Sequence, residues 1–171
     1  EYPFITEFLE TPLGRVPRIA TKLSSGDRMN NMMARLGVKR DDYRVVPGLY
    51  AVGTPGDKSP ILVTANYKLS FDMLRMELEG LDLWLLVIDT YGINVWCAAG
   101  KGTFGTDEVI RRIESSGLKQ HTKSRQLVLP QLGAPGVAGW MVTQKTGFRT
   151  AFGPVRASDL KAFLADRLTA T

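Results

Sequence analysis

Cys97 is the only cysteine among 171 residues, and it stands in the run Asn94-Val95-Trp96-Cys97-Ala98-Ala99-Gly100-Lys101-Gly102-Thr103. One thiol cannot close a disulfide within the chain, which points to a reducing compartment. Its chemistry is that of a soft metal ligand or a nucleophile, in both cases as the thiolate. Read as a short helix opened by Asn94, at about 100° per residue, the run puts Val95 and Ala99 on an anchoring side. Cys97 then falls on the opposite side, near Gly100, Lys101, Ile93 and Asn94 and flanked by Trp96. Ala98, Ala99 and Gly100 add little bulk, so a large flat partner could lie against the sulfur. First-turn amides favour an anion there, and Lys101 adds positive charge. The competing reading is a small buried hydrophobe.

A second pattern overlaps the first. Gly100-x-Gly102-x-x-Gly105 has the letters of a dinucleotide fingerprint, but no strand directly precedes it and no acidic residue ends the next strand at the expected offset. A Walker A loop cannot be written around Lys101 either. His121 is the single histidine, so a His-rich zinc set, a paired-Cys metal site and a Ser-His-Asp triad are excluded. It lies in a polar stretch and is expected at the surface. Net charge is +5, too mild a bias to argue for nucleic acid. Arg111, Arg112, Lys119, Lys123 and Arg125 read as a solvated helix and loop, or as a docking surface for an acidic partner.

The elements that must position these residues follow from periodicity. Leu23-Ser24-Ser25-Gly26-Asp27 opens a helix with Met29, Met32, Met33 and Leu36 in a stripe expected to face the core, and Gly37 stops it. Residues 1–40 are otherwise irregular and are expected to form an extension packed on a domain of residues 41–171, one globular unit overall. Strands are expected at 49–52, 61–65, 83–88, 126–129 and 148–152, with a turn at Thr54-Pro55-Gly56-Asp57. Helices are expected at 69–79, at 106–116 with Thr106 as N-cap, at 135–146, and at 158–168 capped by Ser158-Asp159. Val109, Ile110 and Ile113 face inward. Alternating strands and helices specify an α/β fold whose mostly parallel sheet carries helices on both faces.

Such sheets bind ligands at the carboxyl ends of their strands. Those ends are Thr64-Ala65-Asn66-Tyr67, Asp89-Thr90-Tyr91-Gly92, Pro130-Gln131-Leu132-Gly133-Ala134-Pro135-Gly136 and Gly153-Pro154-Val155. Small residues in three of them let backbone amides approach a ligand. No apolar run approaches the ~20 residues of a membrane helix, and no N-terminal stretch has the charged, apolar and cleavage pattern of a signal peptide, so the chain as given is expected to be soluble.

Asn94-Val95-Trp96-Cys97-Ala98-Ala99-Gly100-Lys101, continued by Gly102-Thr103-Phe104-Gly105-Thr106, resembles the cap-helix signature of the corrinoid proteins of anaerobic mercury methylation, the HgcA family. Val63 to Lys68, Leu129 to Val137 and Phe152 to Arg156 support the resemblance, which covers roughly residues 40 to 165. It implies a Rossmann-like corrinoid-binding domain, similar to that of the large subunit of the corrinoid iron–sulfur protein, with a cap helix carrying Cys97. Cys97 matches the lower axial ligand of cobalt in a base-off cobalamin. The implied cofactor-binding set is Thr64, Ala65, Asn66, Asn94, Val95, Trp96, Cys97, Ala98, Ala99, Gly100, Lys101, Gly102, Thr103, Gln131, Leu132, Gly133, Ala134, Gly136, Val137, Gly153, Pro154 and Val155. The Asp-x-His-x-x-Gly motif of the other common corrinoid fold is not matched around His121.

The implied activity is that of a methyltransferase, with a methyl group carried on cobalt and passed to Hg(II). The alternative is a general methyl carrier of the acetyl-CoA pathway type. The implied partners are a folate-type methyl donor and a small HgcB-like ferredoxin with iron–sulfur clusters. One cysteine could not hold such a cluster here. The family's membrane-spanning C-terminal domain has no counterpart in the chain, which is expected to be a fragment from the cytoplasmic face of the membrane.

Overall fold

Residues 83–88, Leu-Trp-Leu-Leu-Val-Ile, are apolar at every position, a pattern a strand keeps only when helices cover both its faces. All six are buried. In the computed structural model, which describes residues 2–37 and 43–169, they form the fifth of seven strands. The boundary expected between residues 40 and 41 lies outside the described residues. The strands are β1 (Ile5–Thr11), β2 (Gly14–Ile19), β3 (Gly48–Val52), β4 (Ile61–Ala65), β5 (Leu83–Ile88), β6 (Gln126–Leu129) and β7 (Arg149–Phe152). The helices are α1 (Ser25–Arg35), α2 (Lys68–Glu77), α3 (Val95–Lys101), α4 (Thr106–Ser115), α5 (Leu118–His121), α6 (Gly139–Thr146) and α7 (Leu160–Thr169).

One sheet of order β1-β2-β3-β5-β4-β6-β7 results. β5, β4, β6 and β7 are mutually parallel, and β3 runs antiparallel to β5. The fold is therefore the expected mostly parallel α/β sheet, with an antiparallel flank. Side chains of β5 alternate between two cores. Trp84, Leu86 and Ile88 pack with Val109 and Ile113 of α4, Leu118 of α5 and Val142 of α6. Leu83, Leu85 and Val87 pack with Phe71 of α2 and with Leu160 and Leu164 of α7. Each such side chain, fully buried, contributes about 1.5–3 kcal/mol.

The chain after β4 enters α2 on one face and returns to β5, while the chain after β6 enters α6 on the other face and returns to β7. β4 and β6 are neighbours whose connections leave in opposite directions. Their carboxyl ends form a topological switch point, where open α/β sheets hold ligands.

Several expectations are corrected. The amino-terminal stretch holds a hairpin as well as a helix: β1 and β2 pair antiparallel, with Glu7 opposite Arg18 and Glu10 opposite Arg15. These opposite-charge pairs stabilise an edge that an apolar pattern does not reveal. The methionine stripe of α1 faces outward, with Met29 56%, Met32 51% and Leu36 71% exposed. The helix buries Asp27, Asn31 and Ala34 instead. Its inner face is polar because Asp27 meets Lys68 Nζ at 3.0 Å and Arg75 Nη2 at 2.8 Å, and Asn31 Oδ1 accepts from the Tyr43 hydroxyl at 2.8 Å.

Thr106 is not the N-cap of α4; Gly105 is. The Thr106 hydroxyl instead accepts the Ala138 N–H at 2.8 Å. Residues 135–146 are not one helix. A 3-10 segment Gln131–Gly136 ends at extended Val137, and α6 begins at Gly139. Ser158 and Asp159 belong to a 3-10 turn that precedes α7.

Candidate functional site

At the switch point lies a cavity of about 530 Å³ with mainly apolar walls. Leu62, Val63 and Thr64 of β4 and Val128 and Leu129 of β6 form its floor, and α2 contributes Leu69, Ser70, Met73 and Leu74. Gly153, Pro154 and Val155, after β7, close one side, and Leu160 of α7 lines it too. Asn94, Val95 and Trp96 bring the start of α3 to its wall. Gly153 lies close to the floor: a Cβ there would meet Val128 Cγ1 at 3.2 Å.

α3 forms because Asn94 caps it, its Oδ1 accepting the Cys97 N–H at 2.9 Å. Gly102, at φ 77°, ends it in the left-handed conformation that glycine supplies. Ala98 is fully buried and Ala99 nearly so, while Trp96 is 69% exposed. Val95 packs against the same core. Cys97 is half-buried and lies on the half of the helix turned away from Ala98 and Ala99, with exposed Gly100 and Lys101 beside it. It does not line the cavity, whose wall is reached by Asn94, Val95 and Trp96.

The far end of α3 is fastened through Phe104, which is fully buried. A Cβ on Gly133 would meet the Phe104 ring at 2.6 Å. One on Gly136 would meet the Phe104 carbonyl oxygen at 2.0 Å and Ala99 Cα at 3.4 Å. Both glycines are therefore required by close packing of the 131–136 segment on the cap. The near end springs from a polar node after β4 and β5. Asn66 is buried; its Oδ1 accepts the Thr90 N–H and the Gly92 N–H, each at 3.0 Å, and the Thr90 hydroxyl oxygen stands 3.0 Å from it. Asp89 N–H donates to Glu108 Oε1 at 2.8 Å. Burial alone would raise the Glu108 carboxyl, but this N–H and the guanidinium groups of Arg112 and Arg111 outweigh it and hold it below the usual range.

Of the residues singled out from sequence, the structure brings Thr64, Asn94, Val95, Trp96, Leu132, Gly153, Pro154 and Val155 to the cavity. Ala65, Ala98, Ala99 and Val137 lie in the core, and Gly133 is buried. Asn66 serves the node, and Thr103 Oγ1 points to the Ala98 carbonyl at 3.4 Å. Gly100, Lys101, Gly102 and Gln131 are exposed, while Ala134 and Gly136 are half-buried. Sequence reasoning missed the α2 wall of Leu69, Ser70, Met73 and Leu74. The signal was available, since this helix follows directly on the strand end at Tyr67.

His121 is half-buried rather than exposed, 5.8 Å from the Trp84 ring, and burial lowers its pKa. The basic stretch is mostly occupied internally. Arg111 and Arg112 bind Glu108, Lys123 binds Asp57, and Arg125 donates to the carbonyls of Thr122, Ser124 and Lys119. Among the described residues, no group of three His, Cys, Asp or Glu side chains could hold a metal ion, and no helix is long and apolar enough to cross a membrane.

Comparison with known proteins adds an independent line. Residues 32–164 match the model of the family described as CO dehydrogenase/acetyl-CoA synthase delta subunit. The chain is 35% identical over 127 residues to the acetyl-CoA decarbonylase/synthase complex subunit gamma of Methanopyrus kandleri, covering 73% of this chain and 27% of that protein. The corresponding subunit of Archaeoglobus fulgidus is 30% identical, with the same coverage. Subunit gamma 2 of Methanosarcina mazei is 38% identical over 99 residues, 56% of this chain and 21% of that protein. The chain thus spans about a quarter of the length of the relatives it matches. It belongs to the CO dehydrogenase/acetyl-CoA synthase delta subunit family.

Proposed function

We propose that this member of the CO dehydrogenase/acetyl-CoA synthase delta subunit family is a corrinoid-binding domain that carries a methyl group between partner proteins. The observation that carries the reading is the apolar cavity at the β4/β6 switch point with the cap helix along its wall. The residues present fit a corrinoid. Leu62, Val128, Leu160 and Pro154 offer apolar walls for the flat base of its nucleotide tail, and Gly153 lets the backbone come close. Thr64, Ser70 and Asn94 offer polar atoms to the sugar and phosphate. The bound cobalt would supply the methyl-transfer chemistry; the chain supplies binding and orientation.

In this reading Val95, Ala98 and Ala99 hold α3 to the protein, Trp96 screens the open side from water, and Cys97 would offer its sulfur to the cobalt. Relatives named as subunits of the acetyl-CoA decarbonylase/synthase complex favour a carrier working inside a multiprotein assembly. A second reading, methyl transfer to Hg(II), rests on the placement of Cys97 on the outward half of the cap helix, in the run that resembles the mercury-methylation signature. A thiolate held by Cys97 would be an electron-rich ligand, and the bound cobalt would then supply methyl transfer of the kind Hg(II) accepts. An iron–sulfur ferredoxin and a folate-type methyl donor are the partners that reading requires, with membrane attachment through a separate domain.

The test is the absorption spectrum of the protein loaded with cobalamin, beside Cys97→Ala and Cys97→His. A base-off spectrum that changes in the alanine variant supports sulfur ligation, and methylmercury formation with an iron–sulfur ferredoxin then supports the second reading. Cobalamin binding with an unchanged alanine spectrum leaves the carrier reading and removes the sulfur ligand. Absence of cobalamin binding would overturn both.

A further inference from the structure

The turn that leads into the cap helix is strained. Ile93 N–H donates to the Thr90 carbonyl at 3.1 Å, closing a four-residue turn whose two central residues, Tyr91 and Gly92, have φ of 57° and 72°. Such turns favour Asn-Gly or Asp-Gly, because two successive residues must take positive φ. Tyr91 is the one non-glycine residue with positive φ among the described residues, and it is 62% exposed, so packing of the side chain does not hold it there. A bulky residue persists in this region only where its surroundings over-determine it, which they do at ligand clamps and active sites.

Here the surroundings are hydrogen bonds that converge on one buried side chain. Asn66 Oδ1 accepts from both ends of the strained pair's frame, Thr90 N–H and Gly92 N–H, and Asn66 Nδ2 donates to Asp89 Oδ1 at 3.1 Å. Asp89 Oδ1 in turn accepts the Tyr91 N–H at 2.9 Å. The Thr90 hydroxyl lies 3.0 Å from Asn66 Oδ1 and 2.7 Å from the Ile93 carbonyl, its closer acceptor. Ile93 is followed by Asn94, whose side chain caps Cys97. A continuous bonded path therefore runs from Asn66 through Thr90 and Ile93 to the N-cap of α3. Asn66 itself is nearly inaccessible, so it is not placed to touch a ligand.

We infer that Asn66 is a positioning residue: through the Thr90–Ile93 turn it fixes where the cap helix starts and so where the Cys97 sulfur stands. The inference rests on the reading of α3 as the corrin-facing element only for its consequence for the cofactor. The positioning itself belongs to the protein without ligand. Asn66→Ala removes every hydrogen bond that the Asn66 side chain makes to the turn and to Asp89. Thr90→Val keeps the shape of the side chain and removes only the hydroxyl link, and Thr90→Ser restores it.

Because Cys97 is the only cysteine, its alkylation by iodoacetamide reads the cap directly. In cofactor-free protein, Asn66→Ala and Thr90→Val are expected to alkylate about tenfold faster than wild type by local opening, and Thr90→Ser within about twofold. Far-UV circular dichroism and urea unfolding check that the variants stay folded. With hydroxocobalamin, the two faster variants are expected to keep binding corrin while their spectra move toward that of Cys97→Ala. Wild-type alkylation rates in folded Asn66→Ala and Thr90→Val would overturn the inference. If Asn66→Ala does not fold, the Thr90 pair decides the question. If Thr90→Val also fails, amide exchange in the wild type decides: residues 90–92 and 95–101 must open together, and separate opening overturns the inference. Failure of wild-type protein to bind cobalamin would sink the corrinoid reading while the alkylation comparison still judges the positioning.

Discussion

Two glycines of the cap region should respond to alanine with opposite signs. A carbon and a carbonyl oxygen rest at about 3.3 Å or more, whereas a Cβ on Gly136 would stand 2.0 Å from the Phe104 carbonyl oxygen. Gly136→Ala must therefore part the 131–136 segment from the cap by roughly 1.3 Å. The obstacle is backbone on one side and Ala99 Cα on the other, so no flexible side chain can yield. Overpacking costs about 1–3 kcal/mol, and this site belongs at the upper end. For a chain of this length ~3 kcal/mol lowers Tm by roughly 6–12 °C. Gly100 lies in α3 itself, with ordinary φ and nothing within 4 Å of a Cβ. Gly100→Ala there should stabilise the apoprotein by about 0.5–1 kcal/mol. It would also place a methyl group on the face beside Cys97 and so weaken cobalamin binding. Urea midpoints and cobalamin titrations of both variants make the assay. A Gly136→Ala protein as stable as wild type would refute the packing argument. A Gly100→Ala protein that binds cobalamin undiminished would show that the cofactor does not meet this face.

Two further predictions concern charge. Burial by itself would raise the Asp27 carboxyl, but hydrogen bonds from Lys68, Ser24 and Arg75 outweigh it and hold the group well below the usual carboxylate range. Its folded value is thus under the unfolded ~3.9, so its contribution is present above about pH 4 and is lost as pH falls. Asp27→Asn should cost about 3–5 kcal/mol at neutral pH by leaving Lys68 and Arg75 with one carboxylate between them, and should flatten the acid limb of a urea-midpoint profile. For His121, burial lowers the folded value, so the unfolded chain takes up the proton first as pH falls through ~6.5. Stability should fall between about pH 7 and 5, and His121→Phe should remove that slope; an unchanged slope in the variant would show that another group titrates there.

What the sequence disclosed and what it hid divide along physical lines. β5 is legible because a strand covered on both faces is apolar throughout, and β4 and β6 because theirs are nearly so, interrupted only by Thr64 and Gln126; their carboxyl ends name the rim of the site. α3 was legible because Asn94 is a local signal for starting a helix, while its stop at Gly102 emerges from the structure. The β1–β2 hairpin was not, since an edge ribbon stabilised by Glu7–Arg18 and Glu10–Arg15 carries no clean apolar period, and Pro17 argues against a strand. The stripe of α1 misled for a related reason. Periodicity identifies a face but not its direction, and a helix docked on a buried ion cluster turns its polar side inward.

The candidate site shows the same division at closer range. The cap's own residues were visible in the chain, but the features that hold it are non-local. Gly136 must be glycine because of a carbonyl 32 positions earlier, at Phe104, and Asn66 matters through a turn beginning 24 positions later, at Thr90. Neither relation has a spacing rule, because each depends on how the ends of adjacent parallel strands are brought together. The topology does this for all three segments at once: β4 delivers Asn66, β5 delivers the strained turn and the cap, and β6 delivers the 131–136 segment on which the cap rests. A short helix of seven residues has little stability of its own. Its position is therefore set at the two ends, by the Asn66 node and by Phe104 against Gly136, and a ligand that presses on Cys97 presses on both.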